Sequence, residues 1–146
     1  DTMKRVREEI AFPVATGERI YSHWGFRELI EKQAADILQP DINITGGILE
    51  TKKIAAMADA YHIPIAPHNC WGPVASAAAL QVDACTKNFI IQEWFTYNEP
   101  WHYEMVTDAY ENHTKNGYMD IPTKPGLGIE LNAAMVKDHL VSTVKP

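Results

Sequence analysis

Cysteine is nearly absent from the chain. Only Cys70 and Cys85 occur, and they are not spaced as C-x-x-C, so neither a disulfide framework nor a structural zinc site is indicated. A reducing, cytoplasmic setting is expected. Basic residues are outnumbered as well: 13 Lys and Arg stand against 19 Asp and Glu, for a formal charge of -6, and they are scattered along the chain. A phosphate-binding surface needs clustered cations, so nucleic acid is not expected as a partner, and an acidic rim would favour a cation instead. No run of about 18 apolar residues and no charged-then-apolar leader is present, so neither a membrane span nor a signal peptide is expected. Without a leader, the sequons at Asn43-Ile44-Thr45 and Asn112-His113-Thr114 read as coincidence. What remains is a chain of 146 residues, 46% hydrophobic, long enough for one ordinary domain with its own core.

A repeated pattern organises that domain. Ile63-Pro64-Ile65-Ala66-Pro67-His68-Asn69 is a short apolar run that ends in a histidine, followed by Gly72-Pro73 and an alanine-rich helix. Three other segments have the same shape and end in a charged residue: Phe12 to Glu18, Ala35 to Asp41, and Asn88 to Glu93. The terminal residues Glu18, Asp41, His68 and Glu93 are separated by 23, 27 and 25 positions, about one strand, one loop and one helix each time. The expectation is a run of β/α units that deliver one titratable group apiece to a common rim.

The segments between them read as helices. Asp1 to Ile10 is charged, with Met3, Val6 and Ile10 on one helical face, and runs directly into the first strand. Ser22 is the expected N-cap of a helix carrying Phe26, Leu29 and Ile30 and ending near Ala34. Ile48 to Tyr61 has the clearest period, with Ile54, Met57, Ala58 and Tyr61 on one face. Pro73 to Cys85 is small and apolar, hence a buried helix. Asn88 to Glu93 is expected to be a strand covered on both faces. Beyond Trp94 the periodicity fails, and an irregular aromatic stretch leads to a short helix around Asn132 to Val141.

In parallel α/β barrels, functional groups sit where strands end and βα loops begin. Singly, each of the four rim residues has a bland alternative. Glu18 would be a solvated carboxylate; Asp41 an N-cap, though Gly46 and Gly47 weaken that; His68 a structural histidine. Together on one rim they point to chemistry. Adjacent strands would bring Asp41 within hydrogen-bond reach of His68, which makes His68 a candidate general base. Glu18 suits a hard divalent cation such as Mg²⁺, although one carboxylate is not a metal site. Glu93, after an apolar strand and beside Trp94, is expected to favour a protonated form able to donate to a developing oxyanion.

With Val14-Ala15-Thr16-Gly17-Glu18-Arg19, Ile37-Leu38-Gln39-Pro40-Asp41, Gly46-Gly47-Ile48, Ala66-Pro67-His68-Asn69, Gly72-Pro73 and Ile91-Gln92-Glu93-Trp94, the chain resembles the mandelate racemase/muconate lactonizing enzyme group of the enolase superfamily. Within it the chain is most similar to acid-sugar dehydratases of the galactonate type. Pro125-Gly126-Leu127-Gly128-Ile129 is similar to the segment that returns to that group's capping domain. The resemblance implies an α/β fold, the C-terminal half of a TIM-like (β/α)7β barrel: residues 1–95 as the last four strands with their helices, residues 96–146 as an extension toward a capping domain that is absent. It implies that Glu18 is the last of three carboxylate ligands to Mg²⁺. It also implies that Asp41 and His68 form a dyad in which His68 exchanges a proton, and that Glu93 hydrogen-bonds the substrate carboxylate as it becomes an enediolate.

The expected parent activity is Mg²⁺-dependent dehydration of an aldonic or related sugar acid to a 2-keto-3-deoxy acid. A racemase or epimerase with the same dyad is the alternative within enzymes. An inactive, self-associating half-barrel is the alternative outside them. The chain alone is expected to be inactive and homo-oligomeric, pairing through its sheet edges and through Trp101, Tyr103 and Tyr110. Loss of Asp41, which tunes the histidine, is expected to be milder than loss of His68.

Overall fold

The computed structural model describes residues 2–95 and 99–144. Asp1, where the first helix was expected to start, and residues 96–98, where the extension was expected to start, lie outside them. In chain order the elements are α1 (Thr2–Glu9), β1 (Ala15–Thr16), α2 (Ser22–Glu31), β2 (Ile37–Leu38), α3 (Ile42–Thr45), α4 (Ile48–Asp59), α5 (Pro73–Ala84), α6 (Trp101–Glu104), a 3₁₀ turn at Tyr110–His113, and α7 (Ala133–Asp138).

The sheet is parallel and runs in sequence order. Ala15 pairs with Ile37 and Thr16 with Leu38. Isolated parallel bridges then join Leu38 to Ile65, Asp41 to His68, and Ile65 to Phe89. Backbone hydrogen bonds from Leu38 N to Pro64 O (3.0 Å), Ala66 N to Leu38 O (2.9 Å), Ile65 N to Asn88 O (2.8 Å) and Ile90 N to Ile65 O (3.0 Å) complete the ladder. Proline explains why the third expected strand, residues 63–69, pairs only through isolated bridges: Pro64 and Pro67 have no N–H to donate, so the ladder is interrupted while their carbonyls still accept. Glu93 N, for example, reaches Pro67 O at 3.3 Å. Each successive strand pair is joined by a crossover helix, and the strand ends that carry the four rim residues therefore face the same way.

The core lies between the sheet and α2 and α4. Phe26, Ile30, Leu38, Ile54, Ala58 and Ile65 are buried there, with Ile20, Leu29 and Met57 packed against them. Small residues let α5 approach closely, and Ala75, Ser76, Ala77, Ala79 and Val82 are all buried. Two consecutive left-handed glycines, Gly46 at φ 112° and Gly47 at φ 94°, end α3 and start α4, a reversal that a side-chain-bearing pair would make only under strain. His23, in the first turn of α2, meets Glu50 of α4 with both its backbone N–H and its ring Nδ1. That side-chain contact, followed by the backbone one, holds the Glu50 carboxyl down at about 2 and ties the loop after Glu18 to α4. At the other end of the sheet, Arg7 of α1 bonds Asp36 at 2.7 Å, and Asp36 also accepts from Val14 N at 2.9 Å.

Several local expectations change. Ser22 is the first helical residue, at φ 51°, and not a side-chain cap; Tyr21 precedes the helix without a capping bond. The helix ends at Glu31, short of Ala34, because Gln33 turns left-handed at φ 49°. The strand expected over residues 88–93 pairs by a single bridge, at Phe89, and is not covered on both faces: Ile90 is 52% and Ile91 64% exposed. The last helix is the shorter Ala133–Asp138, capped by the Asn132 side chain on Met135 N. The tail has order of its own, with Val106 and Ala109 buried and the 3₁₀ turn packed against α5. Tyr110 is half-buried, its hydroxyl donating to Gly128 O at 3.2 Å, so it is not a free surface aromatic. Trp101 stacks on His139 with ring centroids 4.4 Å apart. No helix among the described residues is long and apolar enough to cross a membrane.

Candidate active site

Asp41 and His68 are directly opposed across the second and third strands, and that register sets the centre of the site. Asp41 Oδ2 lies 2.6 Å from His68 Nδ1. Asp41 is fully buried, at 0% exposure, and all its acceptor capacity is used. Oδ2 also accepts from Trp71 Nε1 at 2.7 Å, while Oδ1 accepts from Asn43 N at 2.8 Å and Ile44 N at 3.2 Å. Asp41 is therefore the N-cap of α3 as well as the partner of His68. The two glycines that weakened the cap lie beyond α3, a one-turn helix that sequence periodicity does not register. Because an ionised carboxylate only accepts, the bond at Nδ1 requires the proton on Nδ1 and leaves Nε2 as the nitrogen open to chemistry.

Nε2 points at the other two rim residues. Glu18 Oε2 is 3.3 Å away and Glu93 Oε2 3.8 Å. All four residues singled out in the sequence thus meet around one imidazole, drawn from the ends of β1 and β2 and of the two bridge-paired segments that follow. Glu18 follows Gly17, whose φ of 141° and lack of a side chain let the backbone pass the Phe26 ring and Gln39 N; an added Cβ would stand 2.9 Å and 3.1 Å from them. Its carboxylate is 52% exposed. Glu93 is 44% exposed, so the apolar enclosure expected for it is not met. Its Oε2 accepts from Asn69 N at 3.3 Å, and the buried Asn69 amide donates to Ser76 Oγ at 3.1 Å. Gln92 Nε2 donates to Pro67 O at 3.0 Å, which braces the same strand end.

The site is strongly negative. Burial first, then the carboxylates of Asp41, Glu93 and Glu18, push the Cys70 thiol above its ordinary range. Among the described residues, those three carboxylates all pair with His68. An unprotonated Nε2 facing two carboxylate oxygens is a cluster of acceptors without a donor, and such a cluster is relieved by a proton or by a cation. Oxygen donors of this kind suit a hard divalent cation, and Glu18 at the open mouth is one residue that could hold it. A ligand atom from each of Asp41, His68 and Cys70 also falls within 4.8 Å of the others. Asp41 already accepts four hydrogen bonds, however, so that trio is better described as the dyad with a thiol beside it.

Asn69, Cys70 and Trp71 were not singled out as site residues. Their signal was adjacency to His68 in a loop, which is weak, because the direction of a loop side chain follows from its tertiary partners.

Over residues 1–135 the chain matches the family described as Enolase C-terminal domain-like. It is 40% identical over 141 residues to a D-xylonate dehydratase of Haloferax volcanii, which takes in 97% of this chain and 34% of that protein. A D-galactonate dehydratase of Ralstonia pickettii is 38% identical over 140 residues, 93% of this chain and 37% of the relative. The crystal structure of a mandelate racemase/muconate lactonizing enzyme from Sulfitobacter sp superposes with a TM-score of 0.86 at 37% identity, covering 94% of this chain and 34% of that one. The chain therefore spans about a third of the length of the curated relatives it matches.

Proposed function

The chain belongs to the enolase C-terminal domain-like family, and on that premise we propose that it carries the proton-abstracting side of the active site of an acid-sugar dehydratase. The observation that carries this reading is the Asp41–His68 pair at 2.6 Å with Nε2 open toward Glu18 and Glu93. The relatives' names favour dehydration over racemisation. The substrate class is a small sugar acid whose α-proton is removed and whose β-hydroxyl is lost.

The geometry supports the following chemistry. A proton α to a carboxylate is very weakly acidic, so useful catalysis must stabilise charge that develops only as the proton leaves. Asp41 holds the His68 ring in one tautomer and one plane, and Nε2 takes the α-proton. The electron pair of that C–H bond moves onto the substrate carboxylate. Glu93, braced by Asn69 N, hydrogen-bonds that carboxylate as charge develops on it. The pair then returns to expel the β-hydroxyl, which takes up a proton and departs as water, and tautomerisation leaves a 2-keto-3-deoxy acid. Glu18 would hold Mg²⁺, and the ion would supply Lewis-acid stabilisation of the substrate carboxylate. The exposed Ile90 and Ile91 at the sheet edge support self-association as part of the same proposal.

Solvent exchange tests it. In the complete enzyme, His68→Asn should abolish incorporation of solvent deuterium at the α-carbon while leaving Mg²⁺ affinity nearly unchanged. Exchange at the normal rate would remove His68 from the mechanism.

A further inference from the structure

We infer that Trp71 is a positioning residue for the Asp41–His68 dyad, acting through its indole N–H; the inference rests on the proton-abstracting role proposed for His68. Trp71 Nε1 donates to the same carboxylate oxygen that receives His68 Nδ1, at 2.7 Å against 2.6 Å. The two donors come from the two ends of one short loop, residues 68–71. That loop is therefore clasped to Asp41 at both ends, by His68 where it leaves the strand and by Trp71 just before Gly72 and Pro73 open α5. Inside the loop, Asn69 Oδ1 accepts from Trp71 N at 3.4 Å, its amide nitrogen is anchored on Ser76, and its backbone N–H reaches Glu93. One hydrogen-bonded ring thus connects the base, the carboxylate that orients it and the acid on the next strand.

Geometry assigns the consequence. A carboxylate oxygen with a single donor can swing about its Cβ–Cγ bond within the arc that donor tolerates. Two side-chain donors on Oδ2 and two backbone donors on Oδ1 leave Asp41 one orientation, and with it one direction for His68 Nε2. The indole is 42% exposed, so its N–H, and not deep burial of the ring, is what engages the dyad. Removing that N–H frees the far end of the loop and widens the range of directions available to Nε2. Misplacement of a reacting group by about 1 Å costs on the order of a hundredfold in rate. A hydrogen bond to a charged acceptor is strong enough to hold such a loop through the reaction. Since Trp71 bonds Asp41 and not the substrate, its loss should fall on kcat and spare KM.

Two measurements test this. In the ¹⁵N-labelled chain, the indole N–H of Trp71, identified through Trp71→Phe and through elimination with Trp24→Phe, Trp94→Phe and Trp101→Phe, should exchange slowly with solvent and shift on Asp41→Asn. A Trp71 indole proton that exchanges as fast as that of Trp24, which is 67% exposed, would overturn the inference without any need for a folded variant at position 71. In the complete enzyme, Trp71→Phe should lower kcat about tenfold to a hundredfold with KM unchanged. A Trp71→Phe enzyme of normal kcat, alongside an inactive His68→Asn enzyme, would overturn the positioning role alone. Exchange that survives His68→Asn would overturn the proposed function, and the role of Trp71 with it.

Discussion

Replacing Asp41 by asparagine keeps the shape of the side chain and changes two of its four hydrogen-bonding relationships in kind. One terminal atom becomes an NH₂ donor, and it must face either the α3 amides of Asn43 and Ile44 or the side chains of His68 and Trp71. The amides cannot change role. Asparagine caps a helix about as well as aspartate when its oxygen faces them, so the NH₂ is directed at His68 and Trp71. His68 can adapt, because a ring nitrogen accepts or donates according to tautomer. Accepting at Nδ1 moves the proton to Nε2, and the proposed base then has no lone pair to offer. Amide-for-carboxylate replacement behind a catalytic histidine costs about 10⁴ in rate for this reason in serine proteases. The expected outcome here is a fall in α-proton exchange of at least about 10³, close to the loss for His68→Asn, whereas the sequence alone led to the expectation of a smaller loss than for His68. Stability should suffer less. The cap survives, and the lost charge-assisted bonding costs about 1–3 kcal/mol, or a few to about ten degrees in Tm. Deuterium incorporation followed by NMR, with a thermal melt by circular dichroism on the same sample, makes the test. A folded Asp41→Asn enzyme retaining exchange within tenfold would refute the tautomer argument.

Gly17→Ala should destabilise by about 2–4 kcal/mol, combining backbone strain with a Cβ driven toward Phe26 and an immovable Gln39 amide, and should weaken Mg²⁺ binding by displacing Glu18, the ligand proposed for it. Denaturant unfolding within about 0.5 kcal/mol of the parent would contradict that account. Asp83 in α5 has both carboxylate oxygens buried with no hydrogen-bond partner among the described residues, and burial pushes it up to about 7 from 3.8. The folded state then keeps a proton that the unfolded chain releases, so stability should fall as pH rises from about 4 to about 7. Asp83→Asn should flatten this decline in a series of melts across that range; an unchanged slope would show that Asp83 is not its source.

The β/α period alone was enough to bring Glu18, Asp41, His68 and Glu93 to one rim. Parallel strands joined by crossover helices must end on the same side, and the strand ends can be counted along the chain. The same logic made the small-residue helix at Pro73 and the core face of Ile54 and Ala58 readable, because helical period and burial are local patterns. Other features were decided only by tertiary structure. Asp41 caps a helix of four residues that is too short to leave a period, and it does so while holding His68, since a carboxylate has two oxygens to aim in two directions. Trp71 reaches Asp41 across 30 positions of sequence, and Asn69 finds Ser76 through the way α5 docks. Ile90 and Ile91 have the composition of a strand buried on both faces and yet are exposed, because burial depends on what covers a strand. Composition says only what a side chain can do; where it points is decided by packing between segments distant in sequence.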